Sequence, residues 1–237
     1  MGNTWFQFKQ FKIAQDRCAM KITTDACIQG AWTPLLPGVQ RVLDIGAGTG
    51  LLSLMLAQRN PDIIIDAIEA DPEAAAQASE NTARSPWGNR VNIIPADVRD
   101  YESQYKYGLV ISNPPFFTDS LLSPNNKKNT ARHNLSLTYE GLIKAIGQNL
   151  DENGYASVLL PVAGYENMKT LMHENHWKEI MKLNIAHKPQ AQVKRVISIW
   201  GKKEIRAIQE ETLAIKGNEN NYTYGFKDLL SPFYLEL

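Results

Sequence analysis

The sequence holds only two cysteines, Cys18 and Cys27, and neither has a His or Cys partner at metal-ligand spacing. That excludes a disulfide framework and a structural zinc site, and it leads us to expect two core thiols in a reducing cytoplasm. Long apolar runs are also missing: Asp44, Asp66 and Glu69 interrupt the most hydrophobic stretches, so no eighteen-residue membrane span can be drawn. The amino terminus lacks a basic-then-apolar leader, and a soluble, untargeted chain is expected. There is no excess charge of either sign, since 25 Lys and Arg balance 25 Asp and Glu. The 237 residues are 43% hydrophobic, which excludes intrinsic disorder and suffices to bury roughly 70–75% of the unfolded surface in a folded core.

The balance is global, not local. Between Asp62 and Glu102 nine acids face three bases, whereas between Lys178 and Arg206 eight bases face two acids. Further cations gather at Lys9–Lys21 and at Lys127, Lys128 and Arg132. Such clusters are most often solvated faces, and otherwise the footprint of a nucleic acid.

Short β-rich segments at Arg41–Ile45, Ile63–Glu69, Val91–Pro95, Leu109–Ser112 and Ala156–Leu160 alternate with helical patterns at Leu51–Arg59, Pro72–Arg84, Tyr139–Leu150 and Tyr165–Asn175. That order predicts an α/β fold with a largely parallel sheet. Glu179–Ile185 and Val193–Trp200 follow with no helix between them, which predicts an antiparallel pair at one side of a seven-stranded sheet. Phe6, Phe8, Phe11 and Ile13 alternate with polar residues and suggest a small amino-terminal β element. With no repeat and no linker, one domain over 1–237 is expected, its core preceded by an extension of about 38 residues.

Three motifs carry chemistry. The first is Asp44-Ile45-Gly46-Ala47-Gly48-Thr49-Gly50, between a strand and a helix. Its glycines permit a tight reversal and let a ligand approach bare backbone at the sheet's carboxyl edge. A dinucleotide fingerprint spaces its glycines 0, 2 and 5; here the spacing is 0, 2 and 4, with an acid just ahead. Asp44 disfavours a pyrophosphate and favours a ligand with a cationic amino group. The second is Glu69, at the end of the next strand, where a carboxylate can accept from both hydroxyls of a ribose. Asp97, one strand further, is placed to accept from an adenine amine. The third is Ser112-Asn113-Pro114-Pro115-Phe116. Two prolines stiffen the loop and hold Asn113 extended, so that its amide oxygen and the Pro114 carbonyl can take the two hydrogens of a planar amine while Phe116 stacks on its ring.

Together these motifs resemble class I S-adenosylmethionine-dependent methyltransferases from Val42 to Leu160. The Asn-Pro-Pro-Phe loop alone leaves open an adenine amine, the two-amino group of guanine in ribosomal RNA, or a release-factor glutamine. The segments Phe8–Asp16, Cys18–Ala26 and Gly30–Trp32, with Gln77-Ala78 and Ser85-Pro86-Trp87, look like the bacterial valine-tRNA adenine-37 N6-methyltransferases. That resemblance implies a Rossmann-like fold, S-adenosylmethionine as cofactor, no metal, Lys21 near the cofactor carboxylate, and the anticodon stem-loop of a tRNA as partner. Phe116 stands where tyrosine is common in adenine enzymes, and a cofactor-binding protein without turnover remains the rival of another class. No chemistry is assigned to Asn218–Asn221 or to the tail Tyr222–Leu237.

Overall fold

The computed structural model describes residues 3–114, 137–203 and 207–237. An amino-terminal hairpin, β1 (Trp5–Gln7) and β2 (Lys12–Ala14), precedes α1 (Thr24–Trp32). Then come β3 (Arg41–Ile45), α2 (Leu51–Arg59), β4 (Ile64–Glu69), α3 (Pro72–Ala83), β5 (Val91–Pro95) and β6 (Tyr107–Ser112). After residue 137 follow α4 (Tyr139–Asn149), β7 (Leu150–Pro161), α5 (Val162–Glu174), β8 (Lys178–Ala186), β9 (Val193–Gly201), β10 (Gln209–Ala214) and α6 (Tyr224–Leu230).

The main sheet has the order β10-β8-β9-β7-β6-β3-β4-β5. Only β9 runs against the rest, pairing antiparallel with β7 and β8. The expected seven strands are therefore eight. The addition, β10, reads Gln-Glu-Glu-Thr-Leu-Ala and pairs parallel with β8 at the sheet's edge. It is mostly exposed and charged, as an edge strand that must not recruit other chains should be, and so carries no alternating apolar signal.

Helices α4 and α5 cover one face of the sheet through Leu142, Ile146, Met168 and Met172. The other face is covered by α1, α2, α6 and the hairpin, with Phe8, Ile13, Phe226 and Phe233 all at most 1% exposed. The amino-terminal extension and the carboxyl-terminal tail thus share one core, and the Lys9 amide donates to the Phe233 carbonyl at 2.8 Å. In α1 every residue from Ala26 to Ala31 is buried, Gln29 included, so no exposed polar face marks a helical period. Cys27 sits in that core, where burial pushes its thiol up to about 12. Cys18 is only half-buried, which corrects the expectation of two core thiols.

The signature segments have structural work. Asn81 of α3 accepts from the Ala14 amide and donates to the carbonyls of Ala14 and Thr49, tying the hairpin to the glycine turn. Gln77 bonds Asp16 and the Arg17 amide, and Trp87 meets Phe11 edge-on at 5.6 Å. Among the described residues no helix is long and apolar enough to cross a membrane.

Candidate active site

The turn after β3, the end of β6, residues 20–22 and the starts of α1 and α2 line a small open cleft, with Lys21, Ala26, Gly46, Gly48, Leu51 and Asn113 among its walls. The expected glycine turn, Lys21 and Asn113 are therefore brought to one place. Gly46, Gly48 and Gly50 have φ of +75°, +55° and +80°, so each position favours glycine on backbone grounds alone. At Gly46 and Gly48 a Cβ would meet nothing within 4 Å, which leaves free space above the turn for a ligand.

Most of the turn's amides are already engaged. Gly46 and Ala47 both donate to the Ile68 carbonyl, at 2.9 and 3.0 Å, and Gly48 donates to Glu69 Oε2 at 2.8 Å. A carboxylate occupies the place where a dinucleotide pyrophosphate would seek an N–H, so charge repulsion works against phosphate here. Glu69 Oε1 accepts from the Asp71 amide at 2.9 Å, and each oxygen retains a lone pair for a further donor such as a ribose hydroxyl.

Asp44 is fully buried on the α2 side of β3. The Ser53 hydroxyl donates to its Oδ2 at 2.7 Å, while Oδ1 has no partner among the described residues. Burial pushes the carboxyl up to about 6, partly offset by the bonds from Ser53. An acid held half-satisfied beneath a cleft is suited to a cationic amino group, which would supply both the missing bond and the missing charge.

Lys21 is exposed, and its Nζ donates to the Asn3 carbonyl at 3.3 Å. Asp97 follows β5 at the same sheet edge, where the Ala96 amide bonds the Glu69 carbonyl. Its carboxylate caps the turn Val98–Asp100 and is gripped by Arg99 through both oxygens at 2.5–3.0 Å. The Arg99 side chain holds it below the usual carboxylate range. Asp97 thus stands near the site but presents its oxygens to Arg99, a pairing not foreseen from sequence.

Asn113 directly follows β6, its Oδ1 buried and without a partner among the described residues, and Pro114 beside it is buried. Pro115, Phe116 and the basic residues Lys127, Lys128 and Arg132 lie outside the described residues. The strand end is fixed from below. The Ser112 hydroxyl donates to the Ile45 carbonyl at 2.8 Å, locking β6 to β3, and fully buried Gln29 of α1 donates to the Ser112 carbonyl at 3.0 Å. Ser157, joined to Thr33 at 2.8 Å, completes this polar layer. Gln29 and Ser53 were not evident from sequence; a glutamine inside an otherwise apolar buried helix was the signal available for the first.

These features fit S-adenosylmethionine: a half-satisfied buried acid for an ammonium, a diol acceptor at Glu69, open space over left-handed glycines, and at Asn113 an amide oxygen without a partner among the described residues. Among the described residues no group of three His, Cys, Asp or Glu could hold a metal ion.

Comparison with known proteins agrees. The family model for the methyltransferase small domain matches residues 34–156. A tRNA1(Val) (adenine(37)-N6)-methyltransferase of Bacteroides thetaiotaomicron is 42% identical over 238 residues, covering all of both chains. The protein of that name in Serratia proteamaculans is 38% identical over 97% of this chain and 89% of its own. In structure, the chain resembles the Agrobacterium tumefaciens protein Atu636, described as a predicted O-methyltransferase, with a TM-score of 0.67 at 17% identity over 88% and 96% of the two chains. It also resembles the glycopeptide N-methyltransferase MtfA complexed with S-adenosylmethionine, at a TM-score of 0.56 and 12% identity over 78% and 97%. With sequence relatives matched end to end, and with the glycine turn and Asn113 meeting in one cleft, the chain belongs to the tRNA1(Val) (adenine(37)-N6)-methyltransferase family.

Proposed function

We propose that this protein methylates the exocyclic N6 of adenine 37, beside the anticodon of valine tRNA, in the cytoplasm. The observation that carries the reading is the Oδ1 of Asn113 at the mouth of the cleft, buried and without a partner among the described residues. A planar amine that donates to Asn113 and to the Pro114 carbonyl is held with its nitrogen lone pair turned out of the ring and toward the glycine turn. When bound, S-adenosylmethionine supplies a sulfonium-borne methyl group that passes to N6, leaving a neutral thioether while one amine proton departs to solvent. Asp44 would hold its ammonium, Lys21 its carboxylate, Glu69 its ribose and Asp97 its adenine, with Arg99 yielding one carboxylate oxygen. Phe116, by its place in the motif, is assigned to stacking on the target base. The protein's own contribution is orientation and fixed dipoles, not proton abstraction. We also read 1–237 as one domain, because the hairpin and the tail complete a shared core.

Mass spectrometry of tRNA nucleosides from cells with and without the protein tests this reading. Loss of N6-methyladenosine from valine tRNA is the expected result. Label passing in vitro to ribosomal RNA or to a release factor, and none to valine tRNA, overturns it.

Asp44 gives a pH signature. Its folded value near 6 lies above the unfolded 3.8, so its contribution to stability is full below about pH 4 and is lost as pH rises through 6, about 3 kcal/mol at most. A cationic ligand prefers the ionised acid. Affinity for S-adenosylhomocysteine is therefore expected to tighten up to about tenfold per pH unit below 6 and to level off above it. Calorimetry from pH 5 to 8 checks this, and Asp44→Asn should flatten the slope; an identical slope in that variant removes Asp44 from the ammonium site.

Gln29 is a positioning residue. Gln29→Met keeps the volume but leaves the Ser112 carbonyl without its buried donor, a cost of about 1–3 kcal/mol in stability. We expect roughly a tenfold lower kcat with unchanged cofactor affinity, since about 1.4 kcal/mol at the barrier is tenfold. Unaltered kcat in a destabilised variant would reduce Gln29 to a core residue.

A further inference from the structure

The fold divides the described part of the basic run, Lys178–Lys203, between opposite edges of the sheet. Because β8 and β9 form an antiparallel pair, Lys178 lies opposite Gly201 at the amino edge, whereas Ala186 lies opposite Val193 at the carboxyl edge. Lys178, Lys202 and Lys203 therefore stand at the far edge from the cleft. Lys188, Lys194 and Arg195 stand on the same edge as Asn113. A second connection joins them there. Ala214 of β10 pairs with Ala186, and the Lys216 amide bonds the His187 carbonyl at 2.8 Å, so the chain from β10 to α6 lies against the β8–β9 turn.

This rim is positive. Residues 187–195 contain no acid, and 215–223 contain only Glu219. The same edge has the opposite sign on the other side of Asn113, where Glu69, Asp71 and Asp97 follow β4 and β5. The cleft thus separates an acidic flank from a basic one. At about 4.8 Å per strand, β9, β8 and β10 lie roughly 10, 14 and 19 Å from β6. An RNA that delivers one base to the end of β6 must lay its neighbouring backbone over one flank, and only the basic one attracts it.

An exposed ring completes the rim. Tyr224, the first residue of α6, is 87% exposed. Its neighbour Tyr222, in contrast, stacks on Phe226 at 4.7 Å beneath the Lys216 Nζ, 3.4 Å from the ring centroid. An aromatic face left in water beside phosphate-binding cations is what unpaired RNA bases use as a stacking platform.

We propose that the rim built from the β8–β9 turn and the β10–α6 connection, with Lys188, Lys194 and Lys216 on phosphates and Tyr224 on an unpaired base, is the surface that docks the substrate tRNA. The inference rests on the methylation reading for the identity of the RNA, and not for the location of the surface.

The test measures binding separately from turnover, using the full chain and an unmodified valine-tRNA transcript. Lys188→Glu with Lys194→Glu is expected to weaken tRNA binding at least tenfold, to lower the slope of log affinity against log salt by about two, and to leave S-adenosylhomocysteine affinity unchanged. Lys178→Glu with Lys203→Glu, the same charge change at the amino edge, should alter binding less than twofold. Lys216→Glu alone should reproduce part of the loss, and Tyr224→Ala should weaken binding several-fold while Tyr224→Phe restores it. Equal losses from the two pairs, or unchanged binding in the first, overturn the rim. A protein that binds tRNA through the rim yet transfers no methyl to it overturns the methylation reading and leaves the rim standing.

Discussion

Asn113→Ala is expected to lower methyl transfer to tRNA by about 10²-fold or more while leaving affinity for S-adenosylhomocysteine nearly intact, the range seen when one preorganised hydrogen-bond partner of a transition state is removed. In the free protein Asn113 leaves its Oδ1 buried and without a partner among the described residues. A buried acceptor without a donor costs about 1–3 kcal/mol, so the folded state is better off without it. Alanine should therefore hold or raise the melting temperature while abolishing most activity, a combination that a structural asparagine cannot produce. Single-turnover rates, calorimetry with S-adenosylhomocysteine and a thermal melt decide it. Near-normal turnover would remove Asn113 from the chemistry; lost activity with a lowered melting temperature would make it a fold residue.

What could be read from sequence was what is local. The strands β3 and β5 and the helix α2 fall on their expected bounds because each carries its own apolar pattern and its own stop signals. The glycine turn was legible for the same reason, since spacing and the preceding acid sit within seven residues of one another. What escaped depends on partners far away in the chain. Gln29 acts on Ser112, 83 residues on, and nothing in its own neighbourhood marks it. The strand β10 is defined by pairing with β8 and not by apolar alternation, and α6 is only seven residues long. The basic run at 178–206 was read as one cluster although the antiparallel pair was expected, because a count along the chain ignores which end of each strand a charge falls on. Asp97 shows that even a local partner can escape: Arg99, two residues away, pairs with its carboxylate, and nothing in the spacing of the acids announces that pairing.

Glu69→Ala is expected to weaken S-adenosylhomocysteine binding by about 1.5–3 kcal/mol, the range for hydrogen bonds to a charged group, or roughly 10- to 150-fold. The structure gives Glu69 two ways to produce that loss. It can accept from a ribose directly, or it can act through the turn, because it already holds the Gly48 and Asp71 amides at 2.8 and 2.9 Å. A double-mutant cycle with a 2′-deoxy ligand separates them. If Glu69 touches the ribose, the deoxy ligand binds more weakly to the unaltered protein and no more weakly to Glu69→Ala, so the two losses overlap. If it only braces the turn, the losses add. Glu69→Gln sharpens the contrast, since its amide oxygen can still accept from the Gly48 amide while the charge that binds hydroxyls is gone. A glutamine variant that binds the cofactor product as tightly as the unaltered protein would assign Glu69 to the turn alone, and unchanged affinity in both variants would remove it from the site.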